Sequence, residues 1–345
     1  MGKTLIYLLL LLILGAGVYY FIFSNRNDAF STKEAGFTIR DTSGIHKIFL
    51  TRTSGEPILL QRTDSGWMLN GKYKARQAAV TQLLRTVYKQ EAKFPVPEQA
   101  HDGVVKTLAG ASIKVELYGA DGSVIRTFYV GNEAHNYVGT YMLLQGAKKP
   151  YVVQIPGFDG YLTPVYSTEI ADWRSRSVFD APKEDIESVT VEYPLNPRSS
   201  YTLVNQPALK MENDPSVTAG LPLNARRANA YLGFFSNINC EGFINGVPFI
   251  DTVIASVPRF CVISLKTKSK GQQKLDVYFM PVNKRSKNQT TPVAEKYDQD
   301  RYYGVMNRDT MILQHHTFEK LMRGAEEFYQ PDKTADVLGL PRNKQ

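Results

Sequence analysis

The order of apolar and polar positions in the first half of this 345-residue chain returns in the second half. A first stretch has apolar residues at i, i+3, i+4 and i+7, the spacing of an amphipathic helix: Val80, Leu83, Leu84 and Val87. A second stretch repeats that spacing 148 residues later (228 − 80): Ala228, Tyr231, Leu232 and Phe235. Because strand-like runs flank both stretches in the same order, the pattern predicts a tandem duplication.

Alternating positions predict the strands around each helix. Ile113, Val115 and Leu117 alternate with Lys114 and Glu116, which indicates a strand with one buried face. The corresponding residues of the second copy are Cys261, Ile263 and Leu265. Antiparallel strands with helices set to one side are typical of an α+β fold. We therefore expect two tandem, structurally similar α+β units of antiparallel sheet with packed helices, at residues 36–168 and 184–330, joined by a linker or shared seam at Ser167–Asp185.

The segment from Gly66 to Lys72 admits two interpretations. Its spacing partly matches a phosphate-binding loop, but Tyr73 stands where that motif needs Ser or Thr, and Trp67 and Leu69 call for a core. Asn70-Gly71 between strand-like flanks is instead a strong signal for a β-hairpin. We expect a hairpin and no nucleotide here.

The amino terminus predicts a membrane anchor. Nineteen residues from Leu5 to Phe23 carry no charge, and a helix needs about 20 apolar residues to cross a bilayer. The alternative is a cleaved secretory signal, but bulky aromatic residues stand where a small-x-small cleavage site would lie. We expect an uncleaved anchor at residues 1–28 that crosses the membrane once, and a body outside the cytoplasm.

Composition limits the partners. Hydrophobic residues make up 43% of the chain and charged residues 21%, as in ordinary globular proteins. The 41 basic and 33 acidic residues give a net charge of +8, yet no block of lysine and arginine dominates it, so nucleic acid is not an expected partner. We expect the membrane as a partner, through residues 5–23; no small-molecule ligand is identified.

Motifs for catalysis, metals and cofactors are missing from the sequence. The five histidines show no metal-ligand spacing, and no Gly-x-Ser-x-Gly or His-Glu-x-x-His motif occurs. We therefore predict no catalytic residue, no metal site, no cofactor and no enzymatic activity.

Two residue pairs remain as candidates. Cys240 and Cys261 form an even pair, which in an exported protein is either a disulfide bond or two buried thiols. Asp159 and Tyr161 lie in a Gly-flanked loop, which is either a loop site or a tight turn.

Several segments together resemble a known family: Ile45–Leu50, Trp67–Tyr73 with Ala75-Arg76, Tyr129-Val130-Gly131, Gly139–Met142 and Ile155–Leu162. They are similar to a family of membrane-anchored bacterial envelope proteins defined by a domain of unknown function. Some relatives are associated with auxiliary components of ABC-type transport systems linked to gliding motility. The resemblance implies a location in the bacterial inner membrane, with a single pass and a periplasmic body. It also implies an interaction role with other envelope proteins as partners, and it transfers no catalytic residue.

Three functions follow as hypotheses. The first is a non-enzymatic extracytoplasmic scaffold or accessory subunit of an envelope complex, for which the resemblance implies a link to transport. The second is a binding module for a glycan, peptide or lipid that uses the aromatic-rich loops or the cleft between units. The third, a hydrolase of envelope polymers, requires paired carboxylates that converge in space.

Overall fold

A computed structural model of the chain describes residues 11–19, 32–135, 138–218, 220–287 and 296–330. The chain divides into two compact units, Met1–Ser175 and Arg176–Gln345, which we call unit 1 and unit 2. The predicted α+β class is confirmed, because antiparallel sheets and a few helices make up both units.

The predicted membrane anchor is described only in part. Residues 11–19 form helix α1 with exposed apolar side chains, among them Leu11 and Leu14. The remainder of the predicted span, residues 5–10 and 20–23, lies outside the described residues. No helix of the described segments combines the length and the apolarity that crossing a membrane requires. The anchor therefore stays a prediction.

Unit 1 contains one large sheet and four further helices. Its strands are β1 Lys47–Thr51, β2 Ile58–Thr63, β3 Gly66–Leu69, β4 Tyr73–Lys74, β5 Glu91–Pro95, β6 Ile113–Tyr118, β7 Val124–Glu133, β8 Thr140–Leu144 and β9 Tyr151–Gln154. Its helices are α2 Thr32–Ala35, α3 Gln77–Lys89, α4 Glu98–Ala111 and α5 Ile170–Trp173, with a 3-10 helix at Thr163–Tyr166.

The sheet of unit 1 has the strand order β4-β3-β2-β1-β6-β7-β8-β9-β5. Alternate residues of its strands are buried, such as Val115 and Leu117 on β6, and they form one core with Val80, Leu83 and Val87 of α3. We call this the inner face of the sheet. The outer face carries the other alternate residues and is covered in part by α4.

The predicted hairpin forms at Asn70-Gly71. Both residues have positive φ, 50° and 64°, and the Lys72 amide donates to the Leu69 carbonyl at 3.0 Å, which closes a turn of the type favoured in hairpins. The Asn70 side chain also fixes the turn, because its oxygen accepts a hydrogen bond from the Leu59 backbone amide at 2.7 Å. The hairpin prediction for this segment is confirmed.

Unit 2 contains an eight-stranded sheet and a two-stranded one. Its strands are β10 Ser177–Phe179, β11 Ile186–Glu192, β12 Tyr201–Val204, β13 Lys210–Asn213, β14 Ile238–Asn239, β15 Gly242–Phe243, β16 Arg259–Thr267, β17 Gly271–Pro281, β18 Tyr297–Met306 and β19 Asp309–Gln314. Its helices are α6 Ala225–Gly233, α7 Ile250–Ala255, α8 Lys284–Lys287 and α9 His315–Phe318. Its 3-10 helices are Lys183–Asp185, Pro197–Ser199, Pro215–Val217, Phe234–Ser236 and Ala325–Tyr329.

The large sheet of unit 2 has the strand order β13-β12-β11-β16-β17-β18-β19-β15, and β10 pairs with β14 separately. Its core contains Tyr231 and Leu232 of α6 together with Ile263 and Leu265 of β16. Aromatic rings fill much of this core; for example, the Tyr231 and Phe328 ring centroids are 5.1 Å apart in an edge-on arrangement.

The segment predicted as a linker or seam, Ser167–Asp185, is built into the units. Trp173 is buried in the core of unit 1, and its indole nitrogen donates to the Ser167 carbonyl at 2.8 Å. Arg174 forms a β-bridge with Ala75. The next residues belong to unit 2, where Phe179 is buried in the core. The division between Ser175 and Arg176 therefore falls within the segment.

Candidate functional site

A groove of about 490 Å³ lies on the outer face of unit 1. Its floor is a continuous row across four neighbouring strands, because Thr51 pairs with Lys114, Lys114 with Tyr129, and Tyr129 with Leu143. These side chains share one face, since residues directly opposite each other in a sheet point to the same side. With neighbouring strands about 4.8 Å apart, the row is roughly 14 Å long.

Helix α4 forms one wall of the groove. Leu108 is buried against the outer face beside Tyr141 and Leu143, while Val105 and Ala109 line the opening. Gly131 on β7 permits this close approach, because a Cβ atom there would lie 2.6 Å from Leu108 Cδ2. The helix therefore contacts the sheet over β7 and β8 and leaves the β1 and β6 side open.

The opposite end of the groove is basic. Arg52 follows β1 and lines this end together with Thr53, Ser112 and Lys114. The Lys114 ammonium is 2.9 Å from the Glu116 carboxylate, and this hydrogen bond raises the pKa of Lys114. Arg52 forms no ion pair with any described residue, so its charge is available to an incoming anion.

The arrangement is suited to binding. Apolar side chains lie at one end of the groove and a cation at the other, and its volume is within the range of about 300–1,000 Å³ that is typical of ligand sites. The described part of the chain holds no cluster of three or more His, Cys, Asp or Glu side chains that could bind a metal ion.

The two cysteines belong to different parts of unit 2. Cys261 lies on β16 and Cys240 directly follows β14, and both are buried thiols. Burial raises the pKa of the Cys261 thiol far above its ordinary value. The sequence leaves a disulfide and two buried thiols as alternatives, and alkylation of the unfolded chain distinguishes them.

Asp159 and Tyr161 lie in the connection between β9 and the 3-10 helix at Thr163–Tyr166. Gly157 and Gly160 have positive φ, 75° and 152°, so the backbone turns sharply on both sides of Asp159. Both Asp159 and Tyr161 are exposed, and neither lines the groove. A ligand site in this loop stays a prediction.

A comparison with known protein families identifies the family of the chain. The family model of a domain of unknown function, DUF4340, matches residues 67–253, which are 187 residues (253 − 67 + 1) of 345. The protein belongs to the DUF4340 family. No curated protein and no solved structure matches the chain.

The DUF4340 match begins in β3 and ends in α7, so it extends across the division between the units. It includes the apolar part of the groove, from Val105 to Leu143, but not Arg52 and its neighbours. The envelope location and the transport association implied by the resemblance are not part of this match, and they belong to the proposal below.

None of the groove residues stands out in the sequence of this DUF4340 protein as a candidate site. Lys114 alternates with buried residues, as any solvated strand position does, and Arg52 lies in a polar turn. The one local signal is Gly131, since a glycine inside a strand often marks a place where another element approaches closely.

Proposed function

We propose that the protein is a non-enzymatic, membrane-anchored scaffold or accessory subunit of a bacterial envelope complex. The observation that supports this proposal most directly is a stripe on the outer face of unit 1 beyond the groove, which we call the open stripe: Lys47, Phe49, Leu59, Glu116 and Tyr118. All five side chains are half-buried. Aromatic residues are enriched in the cores of interfaces between proteins, and polar residues surround them at the rim; Phe49 and Tyr118 beside Lys47 and Glu116 fit this arrangement.

The open stripe is ordered by contacts within it. Phe49 pairs with Leu59 on one side and Glu116 on the other, and Lys47 pairs with Tyr118. The Lys47 ammonium lies 3.9 Å from the centre of the Tyr118 ring, which is a cation–π arrangement. A partner that binds here would meet a surface whose side chains already hold one geometry, which reduces the entropy lost on binding.

We propose further that residues 5–23 anchor the chain in the inner membrane, with one pass and a periplasmic body. The support is the length of the uncharged stretch and the helical conformation of residues 11–19. A transport-related complex fits this location and the resemblance to envelope proteins.

We also propose that the two units descend from one duplicated block. The support is the correspondence between their sheets: apart from the edge strand β4, which has no counterpart in the sheet of unit 2, the order is β3-β2-β1-β6-β7-β8-β9-β5 in unit 1 and β13-β12-β11-β16-β17-β18-β19-β15 in unit 2. In both sheets, a strand from the middle of the unit pairs with the unit's last strand: β5 pairs with β9, and β15 pairs with β19. Superposition of experimental coordinates of the two units tests this, and unrelated strand paths would overturn it.

Co-purification tests the scaffold proposal. We expect the full chain, cross-linked in cells and purified in detergent, to retain defined envelope proteins. Phe49→Ala and Tyr118→Ala should reduce their recovery about 30-fold, as removal of an interface hot spot of about 2 kcal/mol predicts. Tyr88→Ala is the matched control, because Tyr88 is an exposed aromatic residue on α3, away from the stripe. A solitary monomer, or partners that all three variants retain equally, would contradict the proposal.

The groove favours a second function, a binding module for a glycan, peptide or lipid. Ala109 is exposed and lines the groove, so Ala109→Trp would fill it. Ala100 is exposed on the same helix but does not line the groove, and Ala100→Trp is the control. We expect an envelope extract to raise the melting temperature of the wild type and of Ala100→Trp, since a ligand stabilises the state that binds it. An extract that stabilises Ala109→Trp equally excludes the groove as its binding site.

A further inference from the structure

The groove of unit 1 differs in chemistry from one end to the other. At the α4 end, the wall and floor are apolar, formed by Val105, Leu108 and Leu143. At the β1 end, the side chains are polar or cationic, and Arg52 is the cation that no described carboxylate neutralises. A ligand that fits the groove along its length therefore has an apolar part and an anionic part at opposite ends.

The floor also constrains the shape of that ligand. The row from Thr51 to Leu143 is one side chain wide, and α4 rises along one side of its apolar end. Gly131 keeps α4 close to the sheet, because any larger residue would meet Leu108. A row roughly 14 Å long with a wall along one side can seat one extended chain along its length.

We infer that the groove binds a single-chain amphiphile with an anionic head group, with the acyl chain over Tyr129 and Leu143 and the head group at Arg52. The inference rests on the second of the two proposed functions and names the class of its ligand. Burial of the chain against apolar side chains supplies the affinity, since each buried methylene strengthens binding about fourfold. The charge of Arg52 fixes the direction in which the chain enters.

Photolabelling of the full chain tests this inference. The probe is a diazirine analogue of dodecanoic acid, added to the protein in phosphatidylcholine vesicles, and the labelled peptides are identified by mass spectrometry. We expect label on α4 and on β7, near Ala109 and Tyr129. Unlabelled dodecanoate should compete for this label, and butyrate should not.

Variants locate the two ends of the ligand. Ala109→Trp should reduce labelling of α4 and β7 about tenfold or more, and Ala100→Trp should leave it unchanged. Arg52→Gln should weaken competition by dodecanoate about tenfold, as loss of one charged hydrogen bond predicts, and should leave competition by the neutral dodecanol unchanged. Lys106→Gln is the charge control, because Lys106 is exposed on α4 and does not line the groove. The unfolding midpoint of each variant, measured by tryptophan fluorescence, establishes that it is folded.

The results separate this inference from the function on which it rests. Label confined to residues 5–23, or label on α4 that Ala109→Trp does not reduce, would overturn the inference. Dodecanol competing as strongly as dodecanoate would also overturn it. If the extract stabilises the wild type but not Ala109→Trp while the probe fails to label α4, the groove is a binding site for another class of ligand. If neither the extract nor the probe distinguishes Ala109→Trp, both proposals fail.

Discussion

Gly131 provides a sharp test of how α4 is held on the outer face of unit 1. A Cβ atom at Gly131 would lie 2.6 Å from Leu108 Cδ2 and 3.1 Å from the Tyr141 carbonyl oxygen. Overpacking of this kind costs about 1–3 kcal/mol. Replacement of glycine by alanine at ordinary φ recovers about 0.4–1 kcal/mol by restricting the unfolded chain. We therefore expect Gly131→Ala to lower the free energy of unfolding of unit 1 by roughly 1–2 kcal/mol.

A double-mutant cycle assigns this cost to a specific contact. Leu108→Ala alone should cost about 2–5 kcal/mol, because Leu108 is buried. It also removes the methyl group that the new Cβ atom would strike. The double variant should therefore lose less stability than the sum of the single variants, by about 1 kcal/mol. Gly103→Ala is the control, because Gly103 is within α4 with open space around it. It should stabilise unit 1 by about 0.5–1 kcal/mol.

Tryptophan fluorescence makes the measurement specific to unit 1. The chain has two tryptophans, Trp67 and Trp173, and both are buried in the core of unit 1. Urea unfolding followed by this signal reports unit 1 without a contribution from unit 2, so a linear extrapolation applies to one domain. The proposed contact would be wrong if Gly131→Ala were as stable as Gly103→Ala, or if the effects of Gly131→Ala and Leu108→Ala were additive.

Three further predictions follow from the cores. Trp173→Ala should lower the free energy of unfolding of unit 1 by about 3–5 kcal/mol, because Trp173 is buried in its core. Urea unfolding followed by Trp67 fluorescence measures this, and no change would show that residues 169–175 are not part of unit 1. Burial raises the pKa of Tyr302 from 10.0 to about 12. The contribution of this shift to the stability of unit 2 is therefore fully present below pH 10 and is lost between pH 10 and 12. We expect unit 2 to lose less stability at alkaline pH in Tyr302→Phe than in the wild type, by roughly 2–3 kcal/mol. Urea titrations followed by circular dichroism at each pH measure this loss, and an equal loss in the two proteins would contradict the prediction. Cys240 and Cys261 should not react with an alkylating reagent in the folded protein, and both should react once urea unfolds it, with no reductant present. Intact-mass analysis measures the modification, and a pair that stays unmodified in urea would indicate a disulfide.

The local parts of the fold could be predicted from the sequence. The helix that contains Val80 and Val87 and the turn at Asn70-Gly71 depend on spacing and turn chemistry within a few residues. The end of α4 does not follow from local signals, since the helix extends over Glu98–Ala111 and includes Gly110. Packing of the helix on the sheet offsets the roughly 1 kcal/mol that a helical glycine costs.

Elements that depend on distant partners could not be predicted in this way. Strand β13 has the polar sequence Lys-Met-Glu-Asn and owes its conformation to hydrogen bonds with β12. The groove has the same origin, because Thr51 and Leu143 are 92 residues apart (143 − 51) and meet only through the strand order β1-β6-β7-β8. A single sequence contains no periodic signal for such a meeting.

The position of β5 and β15 has a consequence for how the chain is made. Strand β5 ends at Pro95, but its partner β9 begins 56 residues later (151 − 95); for β15 and β19 the interval is 66 residues (309 − 243). At roughly 5–20 residues per second, a ribosome needs about 3–13 seconds to supply the missing neighbour. During that time the backbone of each segment lacks its strand partner and is open to pairing with another chain, and any factor that protects the nascent chain has to act within this interval, once for each unit.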